Sequence, residues 1–172
     1  MIVKVRKAVV EDAKGMAKVH VDSWRTTYAG VVPDEYLNNL SYDERENMWK
    51  QATPRGGVYV AENNEGEIVG FATGGPERSG KYPDYKGELY AIYILKDYQR
   101  QGIGKALMKP IVEGLIRDNL TNMVVLVLED NPSKHFYEAT GAKLLDTEDI
   151  EIGGKKLIEL VYGWDDIRSI NL

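Results

Sequence analysis

The segment Tyr98-Gln99-Arg100-Gln101-Gly102-Ile103-Gly104-Lys105-Ala106-Leu107 puts two glycines one residue apart, directly after an apolar strand pattern and at the start of a helix pattern. Gly102 and Gly104 let the backbone turn tightly and come close to a ligand. A helix that starts there offers unpaired N–H groups and the positive end of its dipole, which suits a phosphate or pyrophosphate. Lys96, Arg100, Lys105 and Lys109 add cationic side chains to the same stretch. A plain strand–helix turn would use the same two glycines, so the string alone leaves both readings open. Two other phosphate motifs are absent. No Gly-x-x-x-x-Gly-Lys-Ser/Thr string occurs, and the dinucleotide fingerprint lacks its third glycine, with Lys105-Ala106-Leu107 following Gly104.

The absence of cysteine excludes disulfides, thiol nucleophiles and thiolate metal sites. The two histidines, His20 and His135, form no His-Glu-x-x-His pattern, so no metal is expected. The chain carries 22 basic and 27 acidic side chains, a formal net charge of −5. That balance argues against nucleic acid, whose phosphates need clustered Lys and Arg. No run approaches ~18 apolar residues, so no membrane span is expected. The first residues alternate apolar and basic side chains without an apolar signal core. A cytoplasmic protein is the expectation.

The elements that must position these residues follow from periodicity. Ile2-Val3-Lys4-Val5-Arg6 alternates as a strand does. Ala13, Met16, Ala17, His20, Val21, Trp24 and Tyr28 recur at three- and four-residue steps, predicting an amphipathic helix of about four turns that stops near Gly30. Pro33-Asp34-Glu35 predicts a short second helix. Ser41-Tyr42-Asp43-Glu44 has capping-box spacing and predicts a third, reaching about Gln51. Residues 58–61 and 68–72 read as strands around the turn Asn63-Asn64-Glu65-Gly66. Residues 74–86 read as a loop, either a mobile surface segment or a substrate lid. Residues 88–94 read as a central strand, 105–119 as a helix, 123–128 as a buried strand and 132–140 as a helix stopped by Gly141. Strands over about 142–150 and 155–162 are joined at Gly153-Gly154. Residues 164–172 form a tail, a dimer contact or a frayed end. The whole is one mixed α/β domain over residues 1–172. Its strand–helix–strand middle implies one parallel pair with a right-handed crossover.

Gln99-Arg100-Gln101-Gly102-Ile103-Gly104 resembles the Gln/Arg-x-x-Gly-x-Gly/Ala signature of the GCN5-related (GNAT) N-acetyltransferases. Asn131-Pro132-Ser133-Lys134-His135-Phe136-Tyr137-Glu138-Ala139-Thr140-Gly141-Ala142 resembles that family's second motif: Asn, a Phe-Tyr pair, then a Gly ending the helix. Ala142 stands where that motif usually has an aromatic residue. Leu89-Tyr90-Ala91-Ile92-Tyr93-Ile94 resembles the family's fourth strand, and residues 21–33 are similar to a bacterial subgroup. The resemblance spans nearly the whole chain.

It implies a twisted mixed sheet of about seven strands with helices on both faces and a cofactor cleft between the fourth and fifth strands. It also implies acetyl-coenzyme A as cosubstrate, with no metal. The pyrophosphate would rest on Arg100, Gln101, Gly102, Ile103, Gly104 and Lys105, and the pantetheine arm on the backbone of Ile92 and Ile94. Asn131 would contact the pantetheine, and Tyr137 would stand near the sulfur as general acid. His20, Trp24 and Tyr28 share one helix face, as core packing or as an aromatic wall for a cationic amine.

The chemistry is consistent with those roles. An alkyl amine is mostly protonated near neutrality and must lose a proton before it attacks a thioester. Glu88, at the rim of the fourth strand, is the candidate base, or else an ordinary solvated strand-end carboxylate. A phenol can protonate the departing thiolate, and a backbone N–H can hold the oxyanion. Without a thiol, direct attack in a ternary complex is the expected route. The function read is acetyl transfer to a primary amine of a small molecule or peptide. A non-catalytic acyl-coenzyme A-binding module of the same fold is the alternative, and a homodimer stays open.

Overall fold

The computed structural model describes residues 3–172, so Ile2 of the first expected strand lies outside the described residues. The strands are β1 (Lys4–Lys7), β2 (Val58–Glu62), β3 (Ile68–Pro76), β4 (Gly87–Ile94), β5 (Met123–Leu128), β6 (Lys143–Ile152) and β7 (Lys155–Trp164). The helices are α1 (Ala13–Thr27), α2 (Asp34–Asn38), α3 (Tyr42–Ala52), α4 (Ile103–Arg117) and α5 (Ser133–Ala139). The strands form one seven-stranded sheet in the order β1-β2-β3-β4-β5-β7-β6. Local chemistry explains several boundaries. Ser41 Oγ accepts the Glu44 N–H at 3.1 Å and starts α3. Gly153 and Gly154 have φ of +59° and +82°, which the tight β6–β7 hairpin turn requires.

Each face of the sheet carries its own core. On one, α4 lays Leu107, Met108, Ile111 and Leu115 onto Leu89, Met123, Val125 and Val127, and Tyr137 and Trp164 join them. On the other, Met16 and Val19 of α1 and Trp49 of α3 meet Val58, Val60 and Phe71. On that second face, Tyr28, Val32 and Leu37 cover Leu128 and Leu157. The second face carries α1–α3; it is the face on which the resemblance expects the amine acceptor, hence the acceptor face.

β4 and β5 are the parallel pair, and they stay together only briefly. Gly87, Glu88 and Leu89 pair with Met123, Val124 and Val125, and the ladder ends there. β4 then continues with β3, while β5 is held along its whole length by β7. A wedge-shaped gap therefore opens in the middle of the sheet. A register shift between Thr73 and Gly74 leaves Tyr90 as an extra residue on β4 at the start of that gap.

The sequence reading differs in two places. Residues 74–76, read as loop, extend β3: Gly74, Gly75 and Pro76 pair with Leu89, Glu88 and Gly87. Glycine is used there for space, since a Cβ on Gly74 would lie 2.6 Å from Ile111 Cγ2 and 2.9 Å from the Glu88 carbonyl. The last segment is docked. Trp164 and Ile167 are 2% and 1% exposed, and the Ile167 N–H donates to Thr121 O at 2.9 Å.

Candidate active site

The glycine loop joins β4 to α4 through two left-handed residues, Arg100 at φ +62° and Gly102 at φ +82°. For Arg100 that conformation is unusual and marks a held turn. Two side chains brace the loop. Gln99 Nε2 donates to Ile94 O at 3.0 Å and Gln101 Nε2 donates to Asp97 O at 3.1 Å. The first bond inside α4 runs from the Ala106 N–H to Gly102 O at 3.2 Å, and no side chain caps the helix. The N–H groups of Ile103, Gly104 and Lys105 therefore point out of the first turn as free donors, on a helix long enough to carry a full dipole. Gly104 faces α5, where an added Cβ would sit 3.5 Å from the Phe136 ring.

The open edge of β4 follows from strand alternation. The Leu95 N–H donates to Val69 O on β3 at 2.9 Å, so alternate residues turn their backbone groups the other way. Ile92 and Ile94 then present theirs to the gap, where no β5 partner is paired with them and the Ile94 carbonyl is already taken by Gln99 Nε2. Their side chains pack toward α4.

Three phenols converge on this gap from opposite faces. Tyr137 is 3% exposed in the α4-side core, edge-on to Trp164 with ring centroids 5.8 Å apart. Burial pushes its phenol well above the ordinary range, and Tyr28 and Tyr93 from the acceptor face add to the push. Tyr28 is likewise raised, by burial first and then by Tyr93, while its oxygen accepts Asn131 Nδ2 at 2.9 Å. Asn131 Oδ1 accepts the Ser133 N–H at 2.9 Å, so its side-chain amide ties α1 to the start of α5. Trp24 stands edge-on to Tyr28, centroids 4.6 Å apart, and its buried indole N–H is near the Tyr93 phenol without a formed hydrogen bond among the described residues. His20 stacks on Tyr93 at 4.9 Å and accepts the Trp49 indole N–H on Nδ1 at 3.3 Å.

Glu88 is not a solvated strand end. It is 5% exposed on the acceptor face, and Arg78 holds both its oxygens, through the backbone N–H and the guanidinium, each at 3.1 Å. The same guanidinium lies 3.8 Å from the centroid of the Tyr90 ring. A cleft of about 790 Å³ opens beside Tyr90, Ala91 and Tyr93 and includes none of residues 99–105.

The structure thus gathers Trp24, Tyr28, Ile92, Ile94, Asn131 and Tyr137 around one gap, with residues 100–105 at its far end, while Glu88 lies in the paired stretch of β4 before the gap opens. Two neighbours escaped the sequence reading. Tyr93 looked like one more apolar position in a core strand. Glu159 of β7 is half-buried on the acceptor face, while its neighbour Ile158 is 43% exposed. An acid set inside the apolar run Leu157-Ile158-Glu159-Leu160-Val161 was the signal available in the sequence. No cluster of metal-binding side chains occurs among the described residues, and none of their helices is long and apolar enough to cross a membrane.

Comparisons with known proteins agree with this geometry. The N-acetyltransferase YuaI of Bacillus subtilis strain 168, whose name carries the word uncharacterized, is 46% identical over 169 residues, 98% of this chain and 96% of that protein. The spermidine N(1)-acetyltransferase of Thermoplasma acidophilum is 23% identical over 155 residues, 86% of this chain and 92% of that protein. The crystal structure of a GNAT-superfamily phosphinothricin acetyltransferase from Sinorhizobium meliloti, in complex with AcCoA, superposes with a TM-score of 0.72. At 22% identity, over 95% of this chain and 88% of that one, it shows a common fold. The sequence profile of the Acetyltransferase (GNAT) family matches residues 18–142, from α1 through the glycine loop to the end of the Tyr137 motif. With the sheet split between β4 and β5 and an uncapped α4 at the end of the split, the chain belongs to that family of N-acetyltransferases.

Proposed function

We propose that the protein transfers an acetyl group from acetyl-coenzyme A to a primary amine of a small molecule or peptide, by direct attack in a ternary complex. The observation that carries this reading is the gap itself. The unpaired β4 edge at Ile92 and Ile94 leads from the free N–H groups of residues 103–105 to the point where Tyr137 meets Tyr28 and Tyr93. The pyrophosphate sits on the α4 N-terminus, with Arg100 and Lys105 beside it. The pantetheine arm takes the place of a strand along β4, which leaves the thioester between the two faces of the sheet.

The amine comes from the acceptor face, past Trp24 and Tyr28, whose rings suit a cation. A β4 N–H holds the carbonyl oxygen as it becomes an oxyanion. The Tyr137 hydroxyl protonates the leaving sulfur. Its high proton affinity keeps it in the acid form until the thiolate appears. A carboxylate of the acceptor face takes the proton of the incoming ammonium, and Glu88 and Glu159 both stand there. With no cysteine in the chain, the acyl group has no thiol to rest on.

The test is thiol release from acetyl-coenzyme A with spermidine, phosphinothricin and an alanine-ended peptide as acceptors. The reading expects release with at least one of them, and intersecting double-reciprocal lines when both substrates are varied. Parallel lines, or no release with any amine, would contradict it.

A further inference from the structure

The carboxylates of the acceptor face differ in what already holds them. Glu88 accepts two hydrogen bonds from Arg78. Glu148 accepts the Tyr82 hydroxyl at 2.8 Å and pairs with Lys81 at 3.4 Å. Asp146 accepts the same Tyr82 hydroxyl at 3.1 Å. Among the described residues, Glu159 makes neither an ion pair nor a side-chain hydrogen bond. It lies opposite Leu128, at the end of β5 that β4 has left behind. Strand alternation puts its side chain on the face of Leu157, which packs with Tyr28.

We propose that Glu159 is the general base that takes the proton from the incoming ammonium group, and that Glu88 is a positioning residue that fixes Arg78 and the 77–86 loop. The inference rests on the acetyl-transfer reading above. Burial raises the proton affinity of Glu159, Glu148 and Glu88 add to it, and Lys81 opposes them. The groups around it are Glu148 on β6, Lys81 in the loop, Glu88 on β4 and the Tyr28 phenol just past the end of α1, with the apolar Leu128 across on β5. A base shifted toward neutrality abstracts a proton from an ammonium more readily than an ordinary carboxylate does.

The steps balance as follows. Glu159 takes one proton from the ammonium, leaving a neutral amine. The nitrogen lone pair bonds to the thioester carbon, whose oxygen becomes an oxyanion. The oxyanion collapses, the carbon–sulfur bond breaks, and the thiolate takes the Tyr137 proton. The second proton on nitrogen returns to the tyrosinate, and Glu159 releases its own to solvent. The products are the amide, free coenzyme A thiol and one proton.

The experiment is kcat against pH for the wild type, Glu159→Gln and Glu88→Gln, with the best acceptor of the three-amine panel. Acetyl-coenzyme A binding is measured on each by calorimetry to confirm a folded cofactor site. Glu159→Gln is expected to lose roughly 10²-fold or more in kcat at neutral pH. It should regain rate as the pH rises toward that of the free amine, and it should bind acetyl-coenzyme A normally. Glu159→Asp should keep the wild-type profile at a reduced rate. Glu88→Gln should keep the wild-type pH dependence, whatever its effect on KM. A wild-type pH profile in Glu159→Gln, or the loss and high-pH recovery in Glu88→Gln instead, would overturn the assignment. A wild type that binds acetyl-coenzyme A but acetylates no amine would bring down the reading beneath it, a separate and distinguishable result.

Discussion

At the scale of single residues, the proposed role of Tyr137 as general acid can be tested apart from its packing. Its hydroxyl makes no hydrogen bond among the described residues, so Tyr137→Phe keeps the packing against Trp164 and Phe136. The expected result is a kcat lower by roughly 10²-fold with acetyl-coenzyme A affinity unchanged, read by steady-state kinetics and calorimetry. His20 supplies a stability test. Burial pulls its imidazole down to about 4, and Arg45 adds to the effect. Between about pH 6.5 and that value, the unfolded chain binds a proton that the folded chain refuses. Stability therefore falls as the pH drops through this window, by about 3 kcal/mol in full. Urea unfolding across that range should show a shallower fall for His20→Gln, and equal slopes would remove His20 from the account. Residue types were legible in the sequence, but their partners were not. Nothing in Gly87-Glu88-Leu89 announces that Arg78, ten residues earlier, takes both carboxylate oxygens, because that pairing depends on the path of the loop between them.

At the scale of elements, the proposed cofactor site is the strand–turn–helix from β4 into α4. Gly102 at φ +82° is confined to glycine by its backbone, and Gly102→Ala should cost about 1–2 kcal/mol in unfolding free energy. Gly104 matters for approach. An alanine there would only touch Phe136 at an ordinary distance, whereas Gly104→Glu puts a carboxylate at the phosphate-facing turn. That variant should bind acetyl-coenzyme A at least tenfold more weakly while remaining folded, measured by calorimetry and circular dichroism; unaltered affinity would place the cofactor elsewhere. Most elements were legible because each has a local cause: the capping box at Ser41, the Gly153-Gly154 turn, the apolar run of β5. The extension of β3 through Gly74 and Gly75 was not. Glycine pairs signal turns, and the packing of Ile111 over Gly74 and of the Tyr90 ring over Gly75 explains why a strand uses them here.

At the scale of the whole molecule, sheet order and charge decide what can enter. β7 lies between β5 and β6, which frees β5 to leave β4 without unravelling the sheet. The strand–helix–strand pattern foretold the parallel pair, but the length of that pairing is set by cross-strand contacts far apart in sequence. The acceptor face carries Glu88, Asp146, Glu148 and Glu159 in a protein of net charge −5, so a cationic amine should be preferred to an anionic one. Turnover of spermidine should exceed that of phosphinothricin, and raising the salt should narrow the difference; the reverse order would contradict this. The most direct test of the central claim is thermal unfolding with and without acetyl-coenzyme A, with ATP and NAD alongside and Gly104→Glu in parallel. At ~100 times its dissociation constant the ligand should add about 2.7 kcal/mol, a shift of roughly 5–10 °C for a chain of this size. The account predicts that shift with acetyl-coenzyme A alone, and its loss in Gly104→Glu. No shift, or an equal one with ATP, would contradict a cofactor seated in the gap between β4 and β5.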